Sequence, residues 1–150
     1  MGIDRDIYRT GRHVVYSLQA HIVLVTKYRR GAITDRVREH LITTTRQVCE
    51  RFETTLIDAD GEDDHLHLLV DYPPKVSLSK LVGAIKTNTS LRVRRENYPE
   101  VTRALCGEHF WSPSYLVTST GAAPLDTVAA YVRNQREPSR APGKPKRHPR

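Results

Sequence analysis

Cysteine is scarce in this chain of 150 residues, which contains only Cys49 and Cys106. The two lie far apart and neither belongs to a CxxC pair, so the sequence indicates neither a disulfide framework nor a Cys-rich zinc site. Such sparing use of cysteine is typical of a reducing compartment. We therefore expect a cytoplasmic protein.

Long apolar runs are also missing. No segment approaches the roughly 18 apolar residues that a membrane span needs. The first residues, MGIDRDIYRTGRH, are charged and lack the apolar stretch of a signal peptide. We expect no membrane association, and a chain of 150 residues is long enough to bury one core of its own.

Acidic residues are in the minority, with 17 Asp and Glu against 24 Lys and Arg, which gives a net charge of +7. The excess is concentrated in residues 79–97 and residues 136–150. Clustered positive charge is expected of a protein whose partner is rich in phosphate. A solvated helix face and a solubilising tail would leave the same pattern, so charge alone does not decide between them.

Apolar patterning predicts seven elements in the order β-α-β-β-α-β-α. Residues 13–30, HVVYSLQAHIVLVTKYRR, predict a long and largely buried strand that ends at Gly31. A helix follows, capped by Thr34 or Asp35, with apolar residues at helical spacing. The remaining predicted elements are a hairpin of residues 54–60 and 65–71, a helix capped by Ser77 or Ser79, a strand at residues 110–120 with Pro113 near its start, and a helix at residues 123–138.

The first six of these elements match the ferredoxin-like arrangement. We therefore predict an α+β fold, with an RRM-like antiparallel sheet of four strands, helices on one face and an additional C-terminal helix. The other face of the sheet would be free for a ligand. Residues 1–137 would form this domain, and residues 138–150, which are rich in Pro and base with no apolar content to pack, would form a disordered tail.

The segment EDDHLHLLV, residues 62–70, places two histidines at the head of an apolar strand. Because side chains alternate across a strand, His65 and His67 project from one face, separated by two steps of about 3.3 Å. Two imidazoles at that separation can bind one cation, since histidine is a common metal ligand near neutral pH. The alternative is a pair of solvated or hydrogen-bonded histidines on an exposed sheet face.

The last predicted helix contains AAYVRNQ, in which Tyr131 and Gln135 lie four residues apart. A phenol and an amide then point from one face of the helix, about 6 Å apart along its axis. Alone, this spacing describes a half-buried tyrosine beside a surface glutamine. Its interest lies in the conjunction with the paired histidines.

Together, DDHLHLLV, FWSPSYLV and YVRNQ, with VTKYRR after the first strand, resemble the single-tyrosine HUH transposases of the IS200/IS605 insertion sequences, the TnpA type. The resemblance extends over residues 13–137 with the same order of elements. It implies a divalent metal, Mg²⁺ or Mn²⁺, bound by His65, His67 and Gln135. It also implies that Tyr131 is the catalytic nucleophile.

The resemblance further implies a reaction and its partners. Tyr131 would attack a phosphate of single-stranded DNA, leaving a 5′-phosphotyrosine and a free 3′-OH, and a second 3′-OH could reverse the step as strand transfer without ATP. The substrates would be hairpins in single-stranded DNA at the ends of an insertion sequence. Family members work as homodimers, and the short link before the last helix permits a tyrosine helix placed in its own or in the partner's site.

Contacts to DNA phosphates need charge and reach rather than a unique geometry. We expect them from basic side chains near the N-terminus, after the first strand and on the second predicted helix, namely Arg12, Lys27, Arg29, Arg30, Lys86, Arg92, Arg94 and Arg95.

Three acids, Glu62, Asp63 and Asp64, precede the first of the paired histidines. They could orient a histidine N–H, as metal-binding histidines usually require. We expect them only to make the turn. A further histidine, His21, falls in the first strand and could share the open face with the site, although we expect an ordinary hydrogen-bonded strand histidine.

Two other functions fit part of the pattern. A non-catalytic module that binds hairpins of single-stranded DNA or RNA on an RRM-like sheet would share the fold. Such a module would need aromatic side chains on its central strands to stack on bases, and this chain has histidines there. A replication initiator with the same HUH centre would share the histidines, but such proteins are usually longer.

Overall fold

The computed structural model describes residues 8–119 and 131–135. Within these ranges a small hairpin of β1 (Arg9–Thr10) and β2 (Val15–Tyr16) precedes the main sheet. The main sheet consists of β3 (Gln19–Val25), β4 (Thr55–Glu62), β5 (His65–Asp71) and β6 (Leu116–Ser119). The helices are α1 (Asp35–Arg51), α2 (Leu78–Arg95) and α3 (Pro99–Leu105).

The four main strands are antiparallel and lie in the order β4-β5-β3-β6. This is the strand order of the ferredoxin-like fold, with α1 joining β3 to β4 and α2 preceding β6. The predicted α+β class and four-stranded sheet are confirmed. The two edges of the sheet are β4 and β6.

The core lies between the sheet and the two long helices. Ile22 and Leu24 of β3 and Leu66 and Leu68 of β5 are fully buried on that face, because alternate residues of a strand share a side. The residues that alternate with these along each strand point to the other face of the sheet. We call this second surface, which carries His21, Val23 and Val25 of β3 and His65 and His67 of β5, the open face.

The two long helices bury the stripes that helical spacing predicts. The buried residues on α1 are Val37, Leu41, Thr44, Thr45, Val48 and Cys49, and those on α2 are Leu81, Val82, Ile85, Thr89 and Val93. Ser77 caps α2 by accepting a hydrogen bond from Lys80 N at 3.3 Å. Thr34 stands at the N-cap of α1, but its hydroxyl bonds Glu100 Oε2 on α3 instead, at 2.7 Å.

The predicted bounds of two strands are wrong, and one helix was missed. The first strand of the main sheet covers only Gln19–Val25, because the Thr26 hydroxyl donates to Arg30 O at 2.6 Å and closes a tight turn. The last strand starts at Leu116 rather than residue 110, and Trp111 makes only an isolated bridge with Thr26. The short helix α3 was not predicted.

Most of the predicted last helix and the whole predicted tail at residues 138–150 lie outside the described residues. Residues 131–133 are helical, in agreement with that prediction. In the part of the chain that the structure describes, no helix combines the length and the apolar character of a membrane span.

Candidate active site on the open face of the sheet

Both predicted metal-binding histidines lie on the open face. His65 and His67 are partly buried and alternate with the buried Leu66 along β5. Their side chains therefore stand side by side above the middle of the sheet rather than at its edge. Their partners in register are Val25 and Val23 on β3 and Glu62 and Asp60 on β4.

The ring of His65 is held by the residue before it. Asp64 Oδ1 accepts a hydrogen bond from His65 Nδ1 at 3.0 Å, and Asp64 Oδ2 accepts one from Arg29 Nε at 2.9 Å. An ionised carboxylate can only accept, so Nδ1 is the donor, and in the neutral ring Nε2 keeps its lone pair. The expectation that Asp64 only makes the turn is wrong, because the two-residue turn folds its carboxylate back onto the next side chain.

The residues on this part of the open face fit a divalent cation. Glu62, Asp64 and His65 each present a possible ligand atom, and these atoms lie within 4.8 Å of one another. A mixed set of oxygen and imidazole donors suits Mn²⁺ and other transition metals better than it suits Mg²⁺, which prefers oxygen ligands. Glu62 adds an exposed carboxylate that the predicted ligand set did not include.

His67 has a different neighbour. Its Nε2 lies 2.8 Å from Nδ1 of His21 on β3, and the two rings are stacked with their centroids 4.9 Å apart. Burial lowers the pKa of His67, and the neighbouring His21 lowers it further. A neutral His67 keeps a lone pair on one ring nitrogen, as a metal ligand must. His21 thus shares the open face with the site and is also hydrogen-bonded, so both interpretations of this strand histidine hold.

Tyr131 and Gln135 are brought together by two serines of the segment before β6. The Tyr131 hydroxyl lies 2.9 Å from Ser114 Oγ, and Gln135 Oε1 accepts hydrogen bonds from Ser112 Oγ at 2.9 Å and Ser114 Oγ at 3.3 Å. Both lone pairs of the amide oxygen are then used. Gln135 must release a serine before it can bind a cation.

The Tyr131 phenol is partly buried against Val23, Val25 and Val132. Burial raises the pKa of Tyr131, and the hydrogen bond with Ser114 partly offsets that rise. The phenol is therefore protonated at neutral pH, and its proton must be transferred if the oxygen is to act as a nucleophile.

One packing contact fixes where the last helix lies. Val132 is buried against Val23 and Val25, which are the register partners of His67 and His65. The helical residues 131–133 therefore cover the open face beside the two histidines. Among the described residues no hydrogen bond joins Tyr131 or Gln135 to either histidine.

A strained loop borders the site. Tyr28 and Arg29 follow each other with φ of 56° and 59°, in the left-handed region that residues other than glycine rarely adopt. Such a conformation costs about 1 to 3 kcal/mol for each residue and persists only where surrounding contacts require it. Here the contacts are the Arg29–Asp64 ion pair and the bond from Arg29 N to Thr26 O at 2.8 Å.

The eight predicted DNA contacts differ in their surroundings. Lys27, Lys86 and Arg94 line a cavity of about 360 Å³ together with His109 and Trp111. Arg12 and Arg95 are exposed. The other three are engaged with the protein, Arg29 with Asp64, Arg30 with Ala104 O and Arg92 with Gln47 Oε1.

Lys86 also has a structural role. Its Nζ donates to Ser112 O at 2.7 Å and to Pro113 O at 3.2 Å, and burial lowers its pKa. It thereby fixes the segment whose serines hold Tyr131 and Gln135. The signal for this group was present in FWSPSYLV, where two serines flank a proline, but only the tertiary contact shows which side chains they meet.

A family model described as "Transposase IS200 like" matches residues 14–135. The chain belongs to the IS200-like transposase family. The predicted resemblance is confirmed. The transposase for insertion sequence element IS200 of Salmonella typhimurium (strain LT2) is 29% identical over 125 residues, which are 83% of this chain and 81% of that protein.

Two Deinococcus radiodurans proteins extend the comparison. The ISDra2 transposase TnpA is 26% identical over 129 residues, 86% of this chain and 91% of its own length. A crystal structure described as a transposase from strain R1 matches this IS200-like transposase with a TM-score of 0.77 at 26% identity, over 85% of this chain and 98% of that one. Both likenesses extend over most of this chain.

Proposed function

We propose that this IS200-like transposase nicks single-stranded DNA beside hairpins at the ends of an insertion sequence and transfers strands through a 5′-phosphotyrosine on Tyr131. The observation that carries the proposal is the packing of Val132 on Val23 and Val25, since it puts the tyrosine helix beside His65 and His67. The sequence resemblance supplies the reaction class.

His65, His67 and Gln135, with Glu62 beside them, would hold the divalent cation, Mn²⁺ or Mg²⁺. When bound, it would polarise the scissile phosphate and stabilise the negative charge that develops there. We expect Mn²⁺ to support activity at least as well as Mg²⁺, because imidazole ligands favour it.

The chemical step belongs to Tyr131. Its phenol oxygen forms a bond to phosphorus, the bond from phosphorus to the 3′-oxygen breaks, and the phenol proton ends on that departing oxygen as a free 3′-OH. Ser114 lies 2.9 Å from the phenol and can accept or relay this proton. Since a phosphodiester is exchanged for a phosphotyrosine ester, another 3′-OH can reverse the step and join a new strand.

The first prediction concerns this nucleophile. Wild-type protein with a labelled single-stranded hairpin and Mn²⁺ should give an adduct that survives denaturation. Tyr131→Phe should abolish the adduct and leave hairpin affinity within about twofold, because it removes a hydroxyl and keeps the ring. Tyr115→Phe, which changes a neighbouring exposed tyrosine, is the matched control and should retain the adduct.

His65→Ala and His67→Ala should fold and lose metal-dependent cleavage. An adduct formed by Tyr131→Phe would reassign the nucleophile, and an equal cleavage rate with chelator present would exclude the metal. A protein that binds hairpins and never forms an adduct would instead be the non-catalytic RRM-like binding module.

We also propose a homodimer, as the family resemblance implies, with a tyrosine helix that can serve its own or the partner's site. Light scattering should then give twice the chain mass of 17.1 kDa. A monomer that retains full activity would exclude an obligatory exchange of helices.

A further inference from the structure

We propose that Arg29 and Asp64 are a positioning pair that fixes the rotation and the tautomer of His65, and that Arg29 acts here rather than as a DNA contact. The part of this inference that concerns metal affinity rests on the proposed function. The part that concerns the imidazole does not, because it follows from contacts inside the protein.

The Asp64 carboxylate divides its two oxygens between two partners. Oδ1 accepts from His65 Nδ1 at 3.0 Å and Oδ2 accepts from Arg29 Nε at 2.9 Å. The side chains of Asp64 and His65 are only 12% and 15% exposed, so water competes little for the bond between them, whereas Arg29 is 39% exposed. Rotation of the carboxylate would break both bonds together, which makes Arg29 a determinant of the His65 orientation.

The backbone on both sides of the pair is also fixed. Asp64 O accepts from Thr26 N at 3.0 Å, and it lies 3.2 Å from Thr26 Oγ1, whose single proton also faces Arg30 O at 2.6 Å. On the other side, Arg29 N donates to Thr26 O, and the left-handed conformation of Tyr28 and Arg29 turns the chain at this point. The same threonine therefore anchors the donor loop and the acceptor turn.

The consequence lies at the other ring nitrogen. With Nδ1–H donated to Asp64, Nε2 is the nitrogen of the neutral His65 ring that keeps a lone pair for a ligand, and Glu62 offers a carboxylate oxygen in the same cluster. A carboxylate that receives the second N–H of a metal-binding histidine fixes its tautomer and raises its basicity. Loss of such a partner commonly weakens metal affinity by about 10- to 100-fold.

The test uses full-length protein without DNA and has two readouts. Long-range ¹H–¹⁵N spectra of the metal-free protein report which nitrogen of His65 is protonated, and calorimetry with Mn²⁺ reports affinity. Wild-type His65 should carry its proton on Nδ1. Asp64→Asn should disturb that signal and weaken Mn²⁺ binding about 10- to 100-fold. Its amide has one acceptor oxygen, so it cannot accept from both Arg29 Nε and His65 Nδ1.

Arg29→Gln should weaken Mn²⁺ binding by roughly threefold to tenfold, and Arg29→Lys should restore part of the loss, since lysine keeps the charge without the planar fork. The double variant Arg29→Gln/Asp64→Asn should be no worse than Asp64→Asn alone, because both act through one carboxylate. The Arg38–Asp35 pair on α1, joined at 2.8 Å, is the matched control, and Arg38→Gln and Asp35→Asn should leave Mn²⁺ affinity unchanged.

Several results would overturn the inference. One is a wild-type His65 protonated on Nε2. Another is an Arg29→Gln variant that binds Mn²⁺ with unchanged affinity but binds the hairpin with a salt slope lower by about one phosphate contact. That result would make Arg29 a DNA contact. If Asp64→Asn does not fold, the two Arg29 variants decide alone.

Failure of the proposed function is recognisable separately. A wild-type protein that forms no tyrosine adduct but shows the expected His65 tautomer would refute the reaction and leave the positioning pair intact. Additive losses in the double variant would refute the pair and leave the reaction intact.

Discussion

Gly61 shows how little room the hairpin that carries the histidines allows. A Cβ added there would lie 2.3 Å from His65 O and 3.1 Å from Leu66 Cα. Both are backbone atoms held in the β4–β5 ladder, so neither can move aside without disturbing the register that places His65. Glycine is therefore required here for close approach of two strands rather than for an unusual φ.

Gly61→Ala should lower the free energy of unfolding by about 1 to 3 kcal/mol, as overpacking typically does. Gly83→Ala is the matched control, since nothing lies within 4 Å of a Cβ added at that position in α2. It should be neutral or stabilise the protein by about 0.5 to 1 kcal/mol, because alanine is the better helix former. Urea unfolding of both variants is the measurement, and equal stability of Gly61→Ala and wild type would contradict the assignment.

Individual site residues could be predicted from local patterns, but contacts between residues far apart in sequence could not. His65 and His67 were identified because strand alternation is a local rule. The Arg29–Asp64 pair spans 35 positions, and it depends on the strained turn after β3 meeting the β4–β5 turn. No local rule predicts that meeting, so Arg29 was expected among the DNA contacts and Asp64 only in the turn.

The length of a helix decided whether it could be predicted from the sequence. In α1 and α2 the apolar spacing repeats over four or more turns, and both stripes were predicted. Helix α3 has seven residues, of which only Val101 and Leu105 are buried, so its period cannot be recognised. Pro99 at its first turn was the available signal.

Helix α3 is joined to the start of α1 by one carboxylate. Glu100 accepts two hydrogen bonds from Arg36, both at 2.8 Å, and one from Thr34 Oγ1 at 2.7 Å. The bonds from Arg36 and then Thr34 lower the pKa of Glu100 well below its usual range. The contact stays ionised at any pH where the protein is commonly handled.

Glu100→Gln should therefore be less stable than wild type at neutral pH. A carboxyl group whose pKa is lowered by folding contributes stability above its unfolded pKa, about 4.3, and loses it as pH falls towards the folded value. The stability difference between the two proteins should be constant from pH 7 to about 5 and shrink below about pH 4. Urea midpoints across that range test this, and a difference that grows on acidification would contradict it.

Charge is distributed unevenly over the whole molecule. The β4 edge of the open face carries exposed Asp58, Asp60 and Glu62, which repel a phosphate backbone. The cavity lined by Lys27, Lys86 and Arg94 lies against α2 and the segment that leads to β6, the edge strand opposite β4. We expect a DNA strand to reach Tyr131 from this basic side, since the acidic edge becomes tolerable to phosphate only where a cation is bound.

The last prediction concerns the chain end at residues 136–150, which carries six Lys and Arg against one Glu. Deletion of residues 139–150 should weaken hairpin binding by at least about tenfold at low salt and flatten its salt dependence. Each lost phosphate contact should reduce the slope of log K against log[salt] by about 0.7 to 0.9. A full-length variant with the five Lys and Arg of residues 139–150 changed to Gln separates charge from length, because it should show the same loss.

The cleavage position should stay the same in both proteins, since phosphate contacts carry no sequence information. An unchanged slope would remove the segment from the DNA-binding surface, and a shifted cleavage position would mean that it reads sequence.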